Sequence, residues 1–453
     1  MAAARPAFLC DRAQLVAREV LSMRHLFDQY DGIENRVTHA LACCLAEDRK
    51  LLGRFIEWSI SQDPPPPDRL YVLEQQLPGG PIVSEREAAQ GLPDICVHDD
   101  AAWCLIIENK LGTALSPDQL SRHRATLKSR GFEPIYVLAI APVEPAPSAV
   151  DAQHHLRWAE VYRWSQQQAR SSEWARRLAE YLEVVDVRMD EEGRERGWSL
   201  TTFTGIPFGT GEPYDYGQAK RLLRVAMEEL RPRPDLRSQL GIYPQDIGRG
   251  KITGRAADGV WDTLRLKAPA PLDLPVQSVP HLTLAIGQQG VLAILVLPNG
   301  LRTEFRERVR DLGLEGFVNL AQEVARNMSQ SLAAVAGWVP WIEVVQRHYP
   351  SRSADAVIDA ELGLDIRTTL VDGGSRGSRR VKPQPLWAHT AFMAFAGRRG
   401  TNTQLAIGAR FPYAHCRAVS TPELLDHIAA AWIACKPVTD LLVGRGPQNA
   451  KSG

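Results

Sequence analysis

The reading of this chain turns on two stretches, Leu92-Pro93-Asp94-Ile95-Cys96-Val97 and Leu105-Ile106-Ile107-Glu108-Asn109-Lys110. Each joins a short apolar run to a charged residue, at the start of the first run and at the end of the second. Such runs have the length and composition of buried strands. Side chains alternate across a strand, so Glu108 and Lys110 share a face while Asn109 points away. If the strands are antiparallel neighbours, the start of one lies beside the end of the other, and Asp94 meets Glu108. Glu108 follows four apolar residues, where a carboxylate without a partner would be costly.

Two convergent carboxylates beside a lysine suit metal-assisted phosphodiester hydrolysis. That reaction needs an activated water, a stabiliser of the charge that builds on phosphorus, and help for the leaving oxygen. Mg²⁺ held by hard oxygen ligands with open positions supplies most of this. Asp94 and Glu108 are the expected metal ligands, with the main-chain carbonyl of Asn109 as a third. Lys110 is expected to orient the attacking water or to stabilise phosphate charge.

Outward from these strands, residues 11–60 carry helical spacing, broken at Asp31-Gly32, with the second helix starting near Ile33. The proline run after Asp63 ends it. Strands are expected at 69–77, 93–98, 103–110 and 134–140, with a helix at 116–130 between the last two. A short strand at 155–158 and a helix to about 185 follow. Glu74, on the first strand, reads as solvent-facing.

Pro93-Asp94, thirteen residues, then Glu108-Asn109-Lys110, in this order of elements, resembles the PD-(D/E)XK nuclease superfamily. The resemblance covers roughly residues 11–185. It implies a restriction-endonuclease-like mixed sheet flanked by helices and a Mg²⁺-dependent phosphodiesterase in which Mn²⁺ can substitute. It also implies an endonuclease rather than an exonuclease, with DNA favoured over RNA, and hydrolysis that leaves 5′-phosphate ends. By the same resemblance, Glu34 at the opening of its helix would face the metal, and Gln119 on the helix after the motif would join the catalytic set. His123 stands where some relatives carry tyrosine, and its role is not carried over.

The expected organisation is an α/β nuclease-like domain over 1–187, a charged linker over 188–200, and an α+β domain over 201–453 whose topology the pattern leaves open. In the last, helices are expected at 216–230, 303–336 and 422–434. Strands are expected at 282–286, 291–297, 339–345, 366–370 and 405–411, the first two joined by a Gly-Gln-Gln-Gly hairpin. Residues 373–420 hold eight Arg or Lys and no acid. Within them Arg376, Arg379, Arg380 and Lys382 are the candidate nucleic-acid contacts. The interleaved aromatics Trp387, Phe392, Phe395, Phe411 and Tyr413 read as core, as do Trp338 and Trp341. His348 with Asp359 and Asp365 could suggest a second metal site, but reads as structural. Residues 205–211 hold three glycines without the lysine of a phosphate loop.

Composition excludes several classes. Formal net charge is zero, so the whole chain is not a polycation. No apolar run reaches the roughly 18 to 20 residues of a membrane span, and Asp11, Arg12, Arg18 and Glu19 interrupt any secretory leader. Seven scattered cysteines without paired CxxC spacing read as buried thiols of a cytoplasmic protein. The expected partner is nucleic acid, with no membrane; a homo-oligomer and a small-molecule or protein activator are both admitted. Defence against phage is the pathway favoured, since no helicase motif accompanies the nuclease. The rival readings are a non-catalytic nucleic-acid binder and a sensor whose C-terminal domain gates the nuclease.

Overall fold

The helical pattern that opens the chain is broken twice. The computed structural model describes residues 25–79, 92–111, 117–142, 154–191, 199–209, 212–243, 248, 258–267, 274–351, 356–369, 384–396 and 402–444. Residues 25–32 form turns, and helices α1 (Ile33–Glu47) and α2 (Arg49–Ile60) follow. The start at Ile33 is as expected; the helix predicted from residue 11 lies outside the described residues up to 24 and is absent over 25–31. The second break, at Asp48, was not anticipated. Its backbone is extended, and its carboxylate caps α2 by accepting the Leu51 N–H at 2.9 Å.

Five strands come next: β1 (Tyr71–Glu74), β2 (Ile95–His98), β3 (Cys104–Asn109), β4 (Ile135–Ala141) and β5 (His154–Arg157). Helix α3 (Pro117–Ser129) links β3 to β4, while α4 (Trp158–Gln168) and α5 (Glu173–Glu191) close the unit. The sheet runs β1-β2-β3-β4-β5, antiparallel on either side of β2 and parallel from β3 onward. Both faces are covered. Ile95, Val97, Leu105 and Ile107 pack with Val37, Leu41, Phe55, Trp158 and Leu182, whereas Cys96, Cys104 and Ile106 pack with Leu120 and Leu127 of α3. A strand buried on both faces is apolar over most of its length, which is why Cys104 to Ile107 of β3 read as a continuous run.

Of the charged linker expected over 188–200, residues 192–198 lie outside the described residues. Helix α5 continues to Glu191, and Arg188 donates to both oxygens of Asp28, at 2.7 and 2.8 Å. Asp186 accepts from the Leu200 amide and from the hydroxyls of Ser199 and Thr201, tying that segment back to the helix. The chain divides into two compact units, the first ending with residues 198–202 and the second taking over at Phe203.

The second unit is built on an antiparallel sheet in the order β10-β9-β11-β8-β7-β6. Its strands are β6 (Gly259–Arg265), β7 (His281–Gly287), β8 (Gly290–Leu297), β9 (Val339–His348), β10 (Val357–Asp365) and β11 (Thr403–Pro412). Helices α6 (Tyr216–Leu230), α7 (Pro234–Leu240), α8 (Thr303–Asp311), α9 (Gly313–Ser331), α10 (Pro385–Ala396), α11 (Leu424–Ala434) and α12 (Lys436–Leu442) complete it. The connection from β8 to β9 through α8 and α9 leaves a place between them that β11 fills.

Three expectations change here. The helix predicted over 303–336 is two helices, broken where Gly313 adopts φ +67°. The strand predicted at 366–370 is a 3-10 turn, Ile366–Thr369. Strands β6 and β10 and helix α10 were not foreseen. Of the glycines at 205–211, Gly205 has a packing reason: at φ +105°, a Cβ there would lie 2.3 Å from the carbonyl carbon of Ser420. Among the described residues no helix is long and apolar enough to cross a membrane. Five of the six described cysteines are buried, which suits a packing role.

Candidate functional site

Register brings the first pair together. Ile95 pairs with Ile107 across β2 and β3, so Asp94, one residue earlier, faces Glu108, one residue later. The Asn109 N–H donates to Asp94 Oδ2 at 2.7 Å and holds that carboxylate at the strand end. Glu108 is fully buried. Its Oε1 accepts from Lys110 Nζ at 2.9 Å and from the Gln119 side-chain amide at 2.6 Å. Its Oε2 is buried without a hydrogen-bond partner.

Helix α1 supplies the next layer. Glu34, in its first turn, accepts the Leu111 N–H on Oε2 at 2.8 Å and approaches Lys110 Nζ through Oε1 at 3.4 Å. Both oxygens are thus directed at the end of β3. Asn109 turns its side chain to the opposite face, as alternation requires, and donates to Thr38 Oγ1 at 3.0 Å.

The charges of this group are strongly interdependent. Burial first, and then the Asp94 carboxylate beside it, push the Glu108 carboxyl up to about 7. Burial also raises Asp94, against the Asn109 N–H and the Lys110 ammonium, which favour its charged form. Burial alone would lower Lys110, but Glu108, with Asp94 and Glu34, raises it. His123 Nε2 lies 3.8 Å from Glu108 Oε2. Burial, aided by Arg122 and Lys110, lowers His123 to about 4. The ring is therefore neutral at neutral pH, and at that separation the contact is neither an ion pair nor a hydrogen bond.

Among the described residues no group of three or more His, Cys, Asp or Glu side chains is arranged to hold a metal ion. The donors that do converge are the two carboxylates of Asp94 and Glu108. Mg²⁺ commonly takes one or two carboxylates and completes its shell with water and substrate oxygens. The partnerless Glu108 Oε2, in a pair whose acids are both pushed towards protonation, fits such a cation. Asp94, Glu108 and the Asn109 carbonyl would hold it.

One neighbour was misread in the sequence. Glu74, expected to face solvent, is largely buried and accepts from His39 Nδ1 at 2.7 Å, within the field that raises Asp94. The contact spans 35 positions and exists only because α1 lies near β1, so no local signal could have disclosed it. Gln119, named from the resemblance, does reach Glu108.

Arg376, Arg379, Arg380 and Lys382 lie outside the described residues. Of the aromatics near them, Phe392, Phe395 and Phe411 are in the core, whereas Trp387 is exposed. Trp338 packs against the core. Trp341 instead lies on the other face of the sheet, under the Arg410 guanidinium at 5.2 Å. His348 pairs with Asp359, and Asp365 with Arg367, two separate contacts. No protein-family model matches the chain, and searches of curated proteins and of solved structures likewise found no match.

Proposed function

We propose that the first unit is a metal-dependent nuclease that hydrolyses phosphodiester bonds, with DNA as the favoured substrate. The observation that carries the reading is the meeting of Asp94 and Glu108 across adjacent strands with Lys110 Nζ 2.9 Å from Glu108. The mixed sheet and the reach of Gln119 and Glu34 into the group support it. A bound Mg²⁺ would supply Lewis-acid polarisation of the phosphoryl oxygen and a water of lowered pKa.

The chain's own groups do the rest. Lys110 presents an ammonium, held between Glu108 and Glu34, to the phosphate on which negative charge grows. Gln119 fixes the Glu108 rotamer, and the Asn109 amide fixes Asp94, so neither carboxylate must be ordered when substrate arrives. Hydrolysis forms one P–O bond from water and breaks the bond to the 3′-oxygen, leaving a 5′-phosphate.

The test uses the full chain and its Lys110→Ala variant on plasmid, single-stranded DNA and RNA, with Mg²⁺, Mn²⁺ or EDTA. Cleavage by the wild type that is lost with EDTA and in the variant is the expected result. Equal cleavage by both proteins, or none by the wild type with either metal, overturns the reading.

A further inference from the structure

On the face of the first sheet that carries Asp94 and Glu108, an open cleft of about 860 Å³ runs over β1 and β2. At its near end Gln75, in its wall, donates its N–H to the main-chain carbonyl of Asp94 at 3.0 Å. Its far end is floored by Tyr71 and His98, directly paired across the two strands. Four residue steps lead from Asp94 along β2 to His98, a run of about 13 Å at strand rise.

The floor is a stacked pair. The Tyr71 and His98 rings lie 5.4 Å apart at 26°, and Phe132 meets His98 edge-on from 5.8 Å. The Asp100 N–H donates to His98 Nδ1 at 3.1 Å, which fixes the tautomer and the ring. His98 is buried, but Tyr71 is 50% exposed, an aromatic surface held flat and left to solvent. Among the described residues, those lining the cleft offer the amides of Gln75 and Gln76 and one acid, Asp100, and the Arg130 guanidinium donates to the Pro78 carbonyl at its wall. A neutral planar ring finds a stacking surface and two amides able to meet its polar edge.

From this geometry we infer that the cleft is a base-binding subsite, in which Tyr71 stacks on an unpaired nucleobase of the substrate strand. The inference rests on the nuclease reading and adds to it a substrate class, single-stranded or locally opened nucleic acid. Bases in an intact duplex keep both faces in their own stack and cannot lie on Tyr71.

Wild-type protein in EDTA, which separates binding from cutting, is titrated into a single-stranded oligonucleotide carrying one 2-aminopurine and into its duplex. Saturable 2-aminopurine quenching is expected with the single strand and not with the duplex. Tyr71→Phe keeps it; Tyr71→Leu and Tyr71→Ala, checked for folding by circular dichroism, weaken binding by roughly tenfold or more and remove the quenching. Quenching that survives both ring deletions, equal quenching of the duplex, or no binding of the single strand overturns the inference. If quenching behaves as expected but the wild type cuts nothing with either metal, hydrolysis falls while the subsite stands.

Discussion

The Asn109 N–H donates to Asp94 Oδ2 at 2.7 Å, so the middle residue of Glu108-Asn109-Lys110 fastens the first carboxylate to the strand that carries the second. Because the contact is made by the backbone, it does not depend on which side chain stands at 109. The Asn109 side chain serves the opposite face through Thr38. One residue thereby couples the acid pair to helix α1, which also carries Glu34.

Gln119 orients Glu108 without being a source of charge. Gln119→Leu is expected to lower kcat by about tenfold with little change in KM, as an interaction that positions a reacting group does. Steady-state kinetics on the preferred substrate would check it. A loss as large as that from Lys110→Ala would move Gln119 into the reacting set.

Glu108 gives the metal-free protein a pH-dependent weakness. Its folded pKa of about 7 stands above the ordinary 4.5. Stability is therefore fully present below about 4.5 and is lost as pH rises through 7. Glu108→Gln removes that loss. In EDTA it should be more stable than wild type at pH 8, on the order of 2 kcal/mol, with the gap closing by pH 5. Thermal melts at both pH values decide the matter; a variant less stable at pH 8 would refute the assignment of strain to this carboxylate.

Asp28 works in the opposite sense. Burial would raise its carboxyl, but hydrogen bonds from Arg188, the His25 amide and Tyr181 outweigh burial and bring it to about 2. Its contribution is present above the ordinary carboxylate value of 3.8 and disappears as pH falls through 2. Asp28→Asn should cost about 1 to 3 kcal/mol at pH 7. In urea titrations the two proteins should converge as pH approaches 2. Parallel curves across that range would show that the carboxylate's charge is not what matters.

Gly363 makes room for an indole. A Cβ there would lie 2.3 Å from Trp341 Cζ2, with Arg410 already 5.2 Å from the ring. Gly363→Val must displace Trp341, and a loss of about 1 to 3 kcal/mol is expected. Wild-type stability in that variant would mean the ring moves freely.

Local pattern made much of this molecule legible. The apolar runs at β2 and β3, the helix between β3 and β4, and α6 over Tyr216–Leu230 all stand where periodicity places them. Local patterning reached the candidate site as well, because alternation along one strand puts Glu108 and Lys110 on the same face whatever surrounds them. What escaped was set by distant contacts. Strand β10 is exposed at all but three of its nine positions and lacks the alternation of a half-buried strand; it exists by pairing with β9. Helix α10 has no charged residue and so no amphipathic signature, and only its packed positions show which side faces the core.

The sequence by itself determined which side chains could act: two acids fourteen positions apart, a lysine, and the strand alternation that aligns two of them. Only the tertiary structure decided that Asp94 faces Glu108, that Glu34 turns to Lys110, and that Glu74 is drawn under His39. Alternation is a property of one strand's backbone. Convergence, burial and the shifted protonation of neighbouring acids depend on which segments lie beside one another, and that is fixed only when the sheet assembles with α1 and α3 against it.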